Sequence, residues 1–447
     1  MSHVFRRLSS TVVIKQGPLK AHHHGPLSTA SFPSGYLLTG IHAGVKKNPN
    51  ALDLALIIST STHPTSAAAS FTRNAFKAAP VLVSDHILAQ NGGRARAIVV
   101  NSGCANAVTG RQGMEDAWSM VHETDALLPP VDHKKGGKPQ NETLVMSTGV
   151  IGQNLPISKI VAGIRLQKSL EATTLGADFS AWERAAKAFM TTDTFPKLRS
   201  RVFTIGGVEY RLAGIDKGAG MIHPDMGPTA TSSQSPTRQL HATLLGCILT
   251  DAAISPRSLQ SALQYAVDRS FNSISVDGDM STNDTVIVLA NGAAAPADAL
   301  EIDEETDKEG YDVFKKELTE FAIDLAKLVV RDGEGATKFV TVTVKVWPPS
   351  FLPSCSVFTI SVRAPLPTET LTASHRAYPH PPSSKPPYTA KMQSMSFLPH
   401  QSTTSDNSIQ LGSDLGCHRL CPSHACDPNI RTSHPRPHQS ERDLCPV

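Results

Sequence analysis

Between about Gly40 and Val346 the apolar residues fall into two rhythms. Short runs rich in β-branched and aliphatic residues, LDLALIIST (52–60), ARAIVVNSG (95–103) and TVIVLANG (285–292), are bounded by small or polar residues and read as strands. FKKELTEFAIDLAKLVV (314–330) repeats its apolar positions every three or four residues with Lys and Glu between them, which predicts an amphipathic helix. Strands and helices in mixed order indicate a layered α/β or α+β architecture. HATLLGCILTDAAIS (241–255) reads as the start of a buried element, yet a polar stretch, GPTATSSQSPTRQL (227–240), stands before it. KGAGMIHPDM (217–226), further upstream, has the character of a segment that should run straight in.

Outside these limits the pattern stops. After Val346 the chain is rich in Pro, Ser, His and Cys with no sustained period, a composition that buries too little apolar surface to offset chain entropy, and disorder is expected over 347–447. The N-terminus carries Arg6, Arg7, Lys15 and Lys20 with several serines and no acidic residue before Asp53, the composition of a mitochondrial transit peptide. Residues 1–30 are read as that leader and its lead-in, with His22, His23 and His24 as a solvated tract.

The totals narrow the class further. The 447 residues are 40% hydrophobic, and no apolar run reaches membrane-spanning length. A net charge of +3, scattered along the chain, argues against nucleic acid as a partner. Cys104 and Cys247 sit among small or apolar residues, whereas Cys355, Cys417, Cys421, Cys426 and Cys445 all lie in the last quarter, so a reducing compartment is expected. Cys417, His418, Cys421, His424 and Cys426 imitate a zinc cluster, but their spacing fits no standard pair of ligand pairs, and no metal or other cofactor is expected.

Five short segments contain side chains suited to chemistry. Thr243 follows Ala242; a threonine hydroxyl is a poor nucleophile without an adjacent base, and chain cleavage would supply one in its own α-amine. In another context the same pair is an ordinary cap or strand residue. MSTGVIG (146–152) places the Thr148 hydroxyl beside an unobstructed Gly149 N–H, which suits an oxyanion hole or a simple turn. MTTDTFPK (190–197) is either a hydroxyl-rich contact surface or a capped turn. Lys217 among small residues can meet a carboxylate or lie in solvent, and Glu334 between glycines can meet an ammonium or do the same.

Taken in order, GIHAGVKKNPNALDLALI, NSGCANA, STGVIGQ, MTTDTFPK, KGAGMIHP, ATLLGCILTDA, NSISVDGDMSTNDT and RDGEGATKFVTV closely resemble the ornithine acetyltransferase family in its fungal mitochondrial form, from about Gly35 to Lys345. The resemblance implies an α/β/β/α sandwich of the self-processing N-terminal-threonine type, cut between Ala242 and Thr243 into an α-fragment (31–242) and a β-fragment (243–346). It implies acetyl transfer from N-acetylornithine, or from acetyl-CoA, to glutamate through an acetyl-threonine. Thr243 would be the nucleophile, Thr148 and Gly149 the oxyanion hole, and Thr191, Lys217, Thr243 and Glu334 the substrate contacts. The two fragments would assemble as a heterotetramer in the mitochondrial matrix. The other readings are an N-terminal-threonine amidohydrolase or aminopeptidase, and an inactive product of such a gene.

Two departures from the family pattern stand out. The family joins its HPNM-type segment directly to ATLLG, so 227–241 is an insertion placed at the threshold of the scissile bond. The tail also lacks the family's last segment, but a shifted reading frame through Ala373–Met392 permits IASRISTSALVKTALYGKDA, which is family-like. Intron read-through near Val346, leaving an out-of-frame end, is the expected cause.

Overall fold

The computed structural model describes residues 20–130, 141–169, 171–228, 244–344 and 356–363. In chain order the elements are β1 (Tyr36–Ile41), β2 (Leu54–Ser59), β3 (Ser66–Thr72), α1 (Ala79–Gln90), β4 (Ala97–Cys104), α2 (Gly110–Asp125), β5 (Thr143–Val150), α3 (Ile157–Leu166) and α4 (Phe179–Phe189). There follow β6 (Lys197–Ile205), β7 (Val208–Lys217), β8 (Met226–Gly227), β9 (Leu245–Thr250), α5 (Pro256–Arg269), β10 (Ile274–Ser275), β11 (Thr285–Ala290), α6 (Lys308–Arg331), β12 (Ala336–Val344) and β13 (Ser356–Arg363).

Two sheets carry the fold, one of order β1-β2-β4-β5 and one of order β6-β7-β9-β11-β3-β8. Strand side chains alternate between faces, and the two faces of the larger sheet feed different cores. Ala213, Ile215, Leu245, Cys247, Leu249, Ile287 and Leu289 share one core with the smaller sheet and α4. Leu212, Ile248, Val286 and Val288 point the other way, into a core with α5 and α6. Helices α2 and α3 pack against the smaller sheet. The expected α/β/β/α layering is what forms. The continuous burial of β2, β9 and β11, every residue of which is buried, follows from covering both faces.

Local sequence explains the element limits. The Asp178 carboxylate accepts the Ala181 N–H at 3.0 Å and starts α4. Asp307 does the same for Gly310 at 3.0 Å, which begins α6 six residues ahead of the periodic stretch that predicted it. Gly40 lets α4 lie directly on β1, because a Cβ there would come within 2.0 Å of the Arg184 carbonyl oxygen.

Three expectations need revision or restriction. Of the expected solvated tract His22–His24, only His22 is exposed: the three end a short turn, His24 Nε2 lies 3.0 Å from Glu183 Oε1, and Arg199 donates to the His23 carbonyl at 2.8 Å. The reason is tertiary, since these partners lie far along the chain. Ser356–Arg363, within the stretch expected to be disordered, pairs antiparallel with β12 and parallel with β10; its SVFTISVR sequence supplies enough β-branched residues for a strand. Arg6, Arg7, Lys15, the cluster at Cys417–Cys426 and most of the insertion lie outside the described residues. Gly227, its first residue, pairs with Phe71.

Candidate active site

Ala242 and Thr243 lie outside the described residues. Leu244, the residue before β9, is held at both backbone polar groups. Its N–H donates to Asp284 Oδ1 at 2.9 Å, its carbonyl accepts from Thr285 N at 3.1 Å, and the next residue, Leu245, sits opposite Lys217 in the sheet. Burial pushes the Asp284 carboxyl up to about 7, against the lowering effect of its backbone hydrogen bonds and of Lys217.

Thr148 and Gly149 lie in the last three residues of β5, where the parallel ladder with β4 loses its register at Gly103 and Cys104. Gly149 has φ +127°, and a Cβ on it would lie 2.3 Å from the Gly103 carbonyl carbon, so only glycine lets the two backbones meet. The irregularity is pinned from both sides. Asn101 Nδ2 donates to the Cys104 carbonyl at 2.8 Å and Ser147 donates to Asn101 Oδ1 at 2.6 Å. From across the core, Asn283 Nδ2 donates to the carbonyls of Ala105 (2.7 Å) and Ser147 (2.9 Å). Asn283 and Asp284 are neighbours, so one short turn holds the Thr148 strand and the strand that begins after Thr243.

Lys217 Nζ donates to Thr148 Oγ1 at 3.1 Å, and both side chains are buried. By accepting from an amine, the threonine hydroxyl keeps its single hydrogen for another acceptor. Burial lowers the Lys217 pKa to about 8; Asp193 opposes this and Lys197 adds to it.

The remaining predicted residues reach this centre through backbone ties. Asp193 accepts from Thr191 N (2.9 Å) and from Gly218 N (2.8 Å), which joins the MTTDTFPK loop to the residue after Lys217. Glu334 N donates to the Ala219 carbonyl at 2.7 Å, and a Cβ on Gly220 would meet Glu334 Oε1 at 2.8 Å, so the carboxylate lies against this glycine. Lys46 donates to the carbonyls of Leu52 (2.6 Å) and Met190 (2.7 Å) and fixes the loop ahead of Thr191.

Thr148, Gly149, Lys217, Thr191 and Glu334 thus come from four separate stretches into one connected region, at the end of β7 where Leu245 lies opposite. Asn101, Asp193, Asn283 and Asp284, which hold them, and Asp332, which accepts from Thr194 N at 2.9 Å, had no role assigned from sequence. Their signal was present, since each lies within a quoted motif, but a bare polar residue in a motif does not reveal its partner. Among the described residues, no cluster of three His, Cys, Asp or Glu is placed to hold a metal ion.

A strand end that brings a threonine hydroxyl and a glycine N–H together, a buried lysine with a lowered pKa and a nearby carboxylate are residue types that acyl-transfer chemistry can use. Comparison with known proteins gives the class a family. Residues 37–347 match the ArgJ family, and the chain belongs to it. It is 72% identical over 345 residues to the Arginine biosynthesis bifunctional protein ArgJ, mitochondrial, of Laccaria bicolor, covering 77% of this chain and 71% of that protein. The protein of the same name from Cryptococcus neoformans is 54% identical over 349 residues, covering 76% of this chain and 69% of that protein. A crystal structure of the ArgJ protein of Bacillus halodurans shares 34% identity at a TM-score of 0.39, over 45% of this chain and 95% of that one.

Proposed function

We propose that this chain, an enzyme of arginine biosynthesis in the mitochondrion, moves an acetyl group from N-acetylornithine or acetyl-CoA to glutamate through Thr243. The observation that carries this reading is the convergence of the Thr148–Gly149 strand, Lys217 and the Glu334 loop beside the residues that follow Thr243, in a chain 72% identical to a bifunctional family member. Cleavage of Ala242–Thr243 frees an α-amine with a pKa of about 8, able to take the proton of the Thr243 hydroxyl. Oγ then attacks the acetyl carbonyl, whose oxyanion the Gly149 N–H and the Thr148 hydroxyl receive. Ornithine leaves, and the amine of glutamate attacks the resulting ester. Thr191 and Lys217 serve the substrate carboxylate and Glu334 its free ammonium, and the cleaved fragments assemble as a heterotetramer.

The out-of-frame end belongs to the same proposal. It is supported by the end of the family match at residue 347, one residue after the composition changes, and by the 71% of the Laccaria bicolor protein that is covered. A genomic-to-transcript comparison tests it, and intact exons beyond Val346 would refute it.

The function is tested by intact mass of the purified chain beside Thr243→Ala. Two fragments in the parent, the second starting at Thr243, and one uncut chain in the variant are expected; a single uncut chain in both would remove the nucleophile from the reading. Acetate release without glutamate would instead indicate the hydrolase.

A further inference from the structure

The segment that begins at Lys20 is bound to the body along its length. Lys20 Nζ donates to the Gly333 carbonyl at 3.0 Å and lies 4.0 Å from Asp332 Oδ1, with only 12% of its side chain exposed. Arg199 holds the His23 carbonyl at 2.8 Å, Arg211 the Ala30 carbonyl at 2.7 Å, and Ser34 N donates to Asp251 at 3.1 Å. Phe32 stacks on Trp182 with ring centres 4.7 Å apart and the planes 9° from parallel.

Lys20 meets the C-terminal end of α6, where backbone carbonyls concentrate partial negative charge and a cation is favoured. The same turn is the base of the Glu334 loop. Asp332, fully buried, accepts from Thr194 N (2.9 Å) and Lys197 Nζ (2.7 Å), and two residues on Glu334 N reaches the Ala219 carbonyl. The Gly333 carbonyl between them also accepts the Ala336 N–H at 2.9 Å, so Lys20 binds the oxygen on which the turn closes.

We propose that Lys20 is a positioning residue for Glu334, and that the mature mitochondrial protein therefore retains Lys20, its leader being removed upstream of it. The part of the inference that concerns substrate rests on the reading of Glu334 as the ammonium contact. The part that concerns the loop and the mature N-terminus does not.

Three measurements on the full chain test it. N-terminal analysis of the protein recovered from fungal mitochondria should find a start before Lys20; a mature chain beginning after it would overturn the proposal. In Lys20→Ala, amide hydrogen exchange at Glu334 should quicken about tenfold through local opening, with the α6 interior unchanged and Lys20→Arg restoring protection. Unchanged exchange at Glu334 would also overturn it. Lys20→Ala should raise the donor KM with kcat held, and Glu334→Gln is the control. If Glu334→Gln leaves the donor KM unchanged, the ammonium reading fails while the exchange result still decides the role of Lys20. If Glu334→Gln raises KM and Lys20→Ala does not, the positioning role fails alone.

Discussion

Lys197 and Lys217 sit on neighbouring strands, and both are buried, at 0% and 1% exposure, yet their charges have opposite fates. Lys197 faces Asp216 across the β6–β7 ladder, and Lys217, one residue on, points to the other face. Burial alone would push Lys197 down, but Asp193 and Asp332, at 2.5 and 2.7 Å, raise it above the ordinary lysine range. Asp193 in turn is held well below the usual carboxylate range, its burial more than offset by Lys197 and Lys217. Burial lowers Lys217 to about 8, and the contact it makes across the core is to a hydroxyl, Thr148. The number of counter-charges, not burial, separates a lysine held above the ordinary range from one lowered to about 8.

The largest expected effect breaks this contrast on the structural side. Lys197→Met leaves Asp193 and Asp332 buried without their ammonium and should cost about 3–5 kcal/mol in denaturant unfolding. Lys217→Met, which removes a charge that burial already disfavours, should cost far less. Equal losses would show that the two lysines do the same work.

Next comes the strand Lys217 touches. Gly149→Ala must fit a Cβ against the Gly103 carbonyl at a φ of +127°, displacing the N–H that the proposed mechanism aims at the oxyanion. Acetyl transfer should fall about 10²–10³-fold in kcat, and a variant within tenfold of the parent would take the strand out of the chemistry.

A smaller effect is expected at Lys217 itself. Lys217→Ala should lower kcat/KM about 10–10²-fold, the worth of one charge-assisted hydrogen bond. A lysine with a lowered pKa is charged below it, so kcat/KM for a carboxylate substrate should fall as pH rises through about 8. Lys217→Arg keeps its charge and should abolish that fall; a descent that persists in Lys217→Arg would assign the titration to another group.

Much of the layering was legible. LDLALIIST and TVIVLANG contain β2 and β11, and ARAIVVNSG covers β4 except for Cys104, because a strand buried on both faces announces itself as a continuous apolar run. The α6 pattern was equally clear, and only its capped first turns were missed, since they lack apolar periodicity. Thr148, Gly149, Lys217, Thr191 and Glu334 were named from motifs whose order and wording carry the family. The lead-in was misread because His24 and Glu183 are 159 residues apart, and composition records no such pairing.

By itself, then, the sequence determined the family, the residue types available for acyl transfer and the alternation of strands and helices, because periodicity and motif order are local properties of the chain. Tertiary structure decided which polar residues became partners. It placed Asn283 on the Ser147 carbonyl, Asp332 between Thr194 and Lys197, and Lys20 on Gly333. Each of these contacts joins segments more than a hundred residues apart, where burial strengthens a hydrogen bond and penalises an unmet one. That physical selection acts only once the sheets have packed.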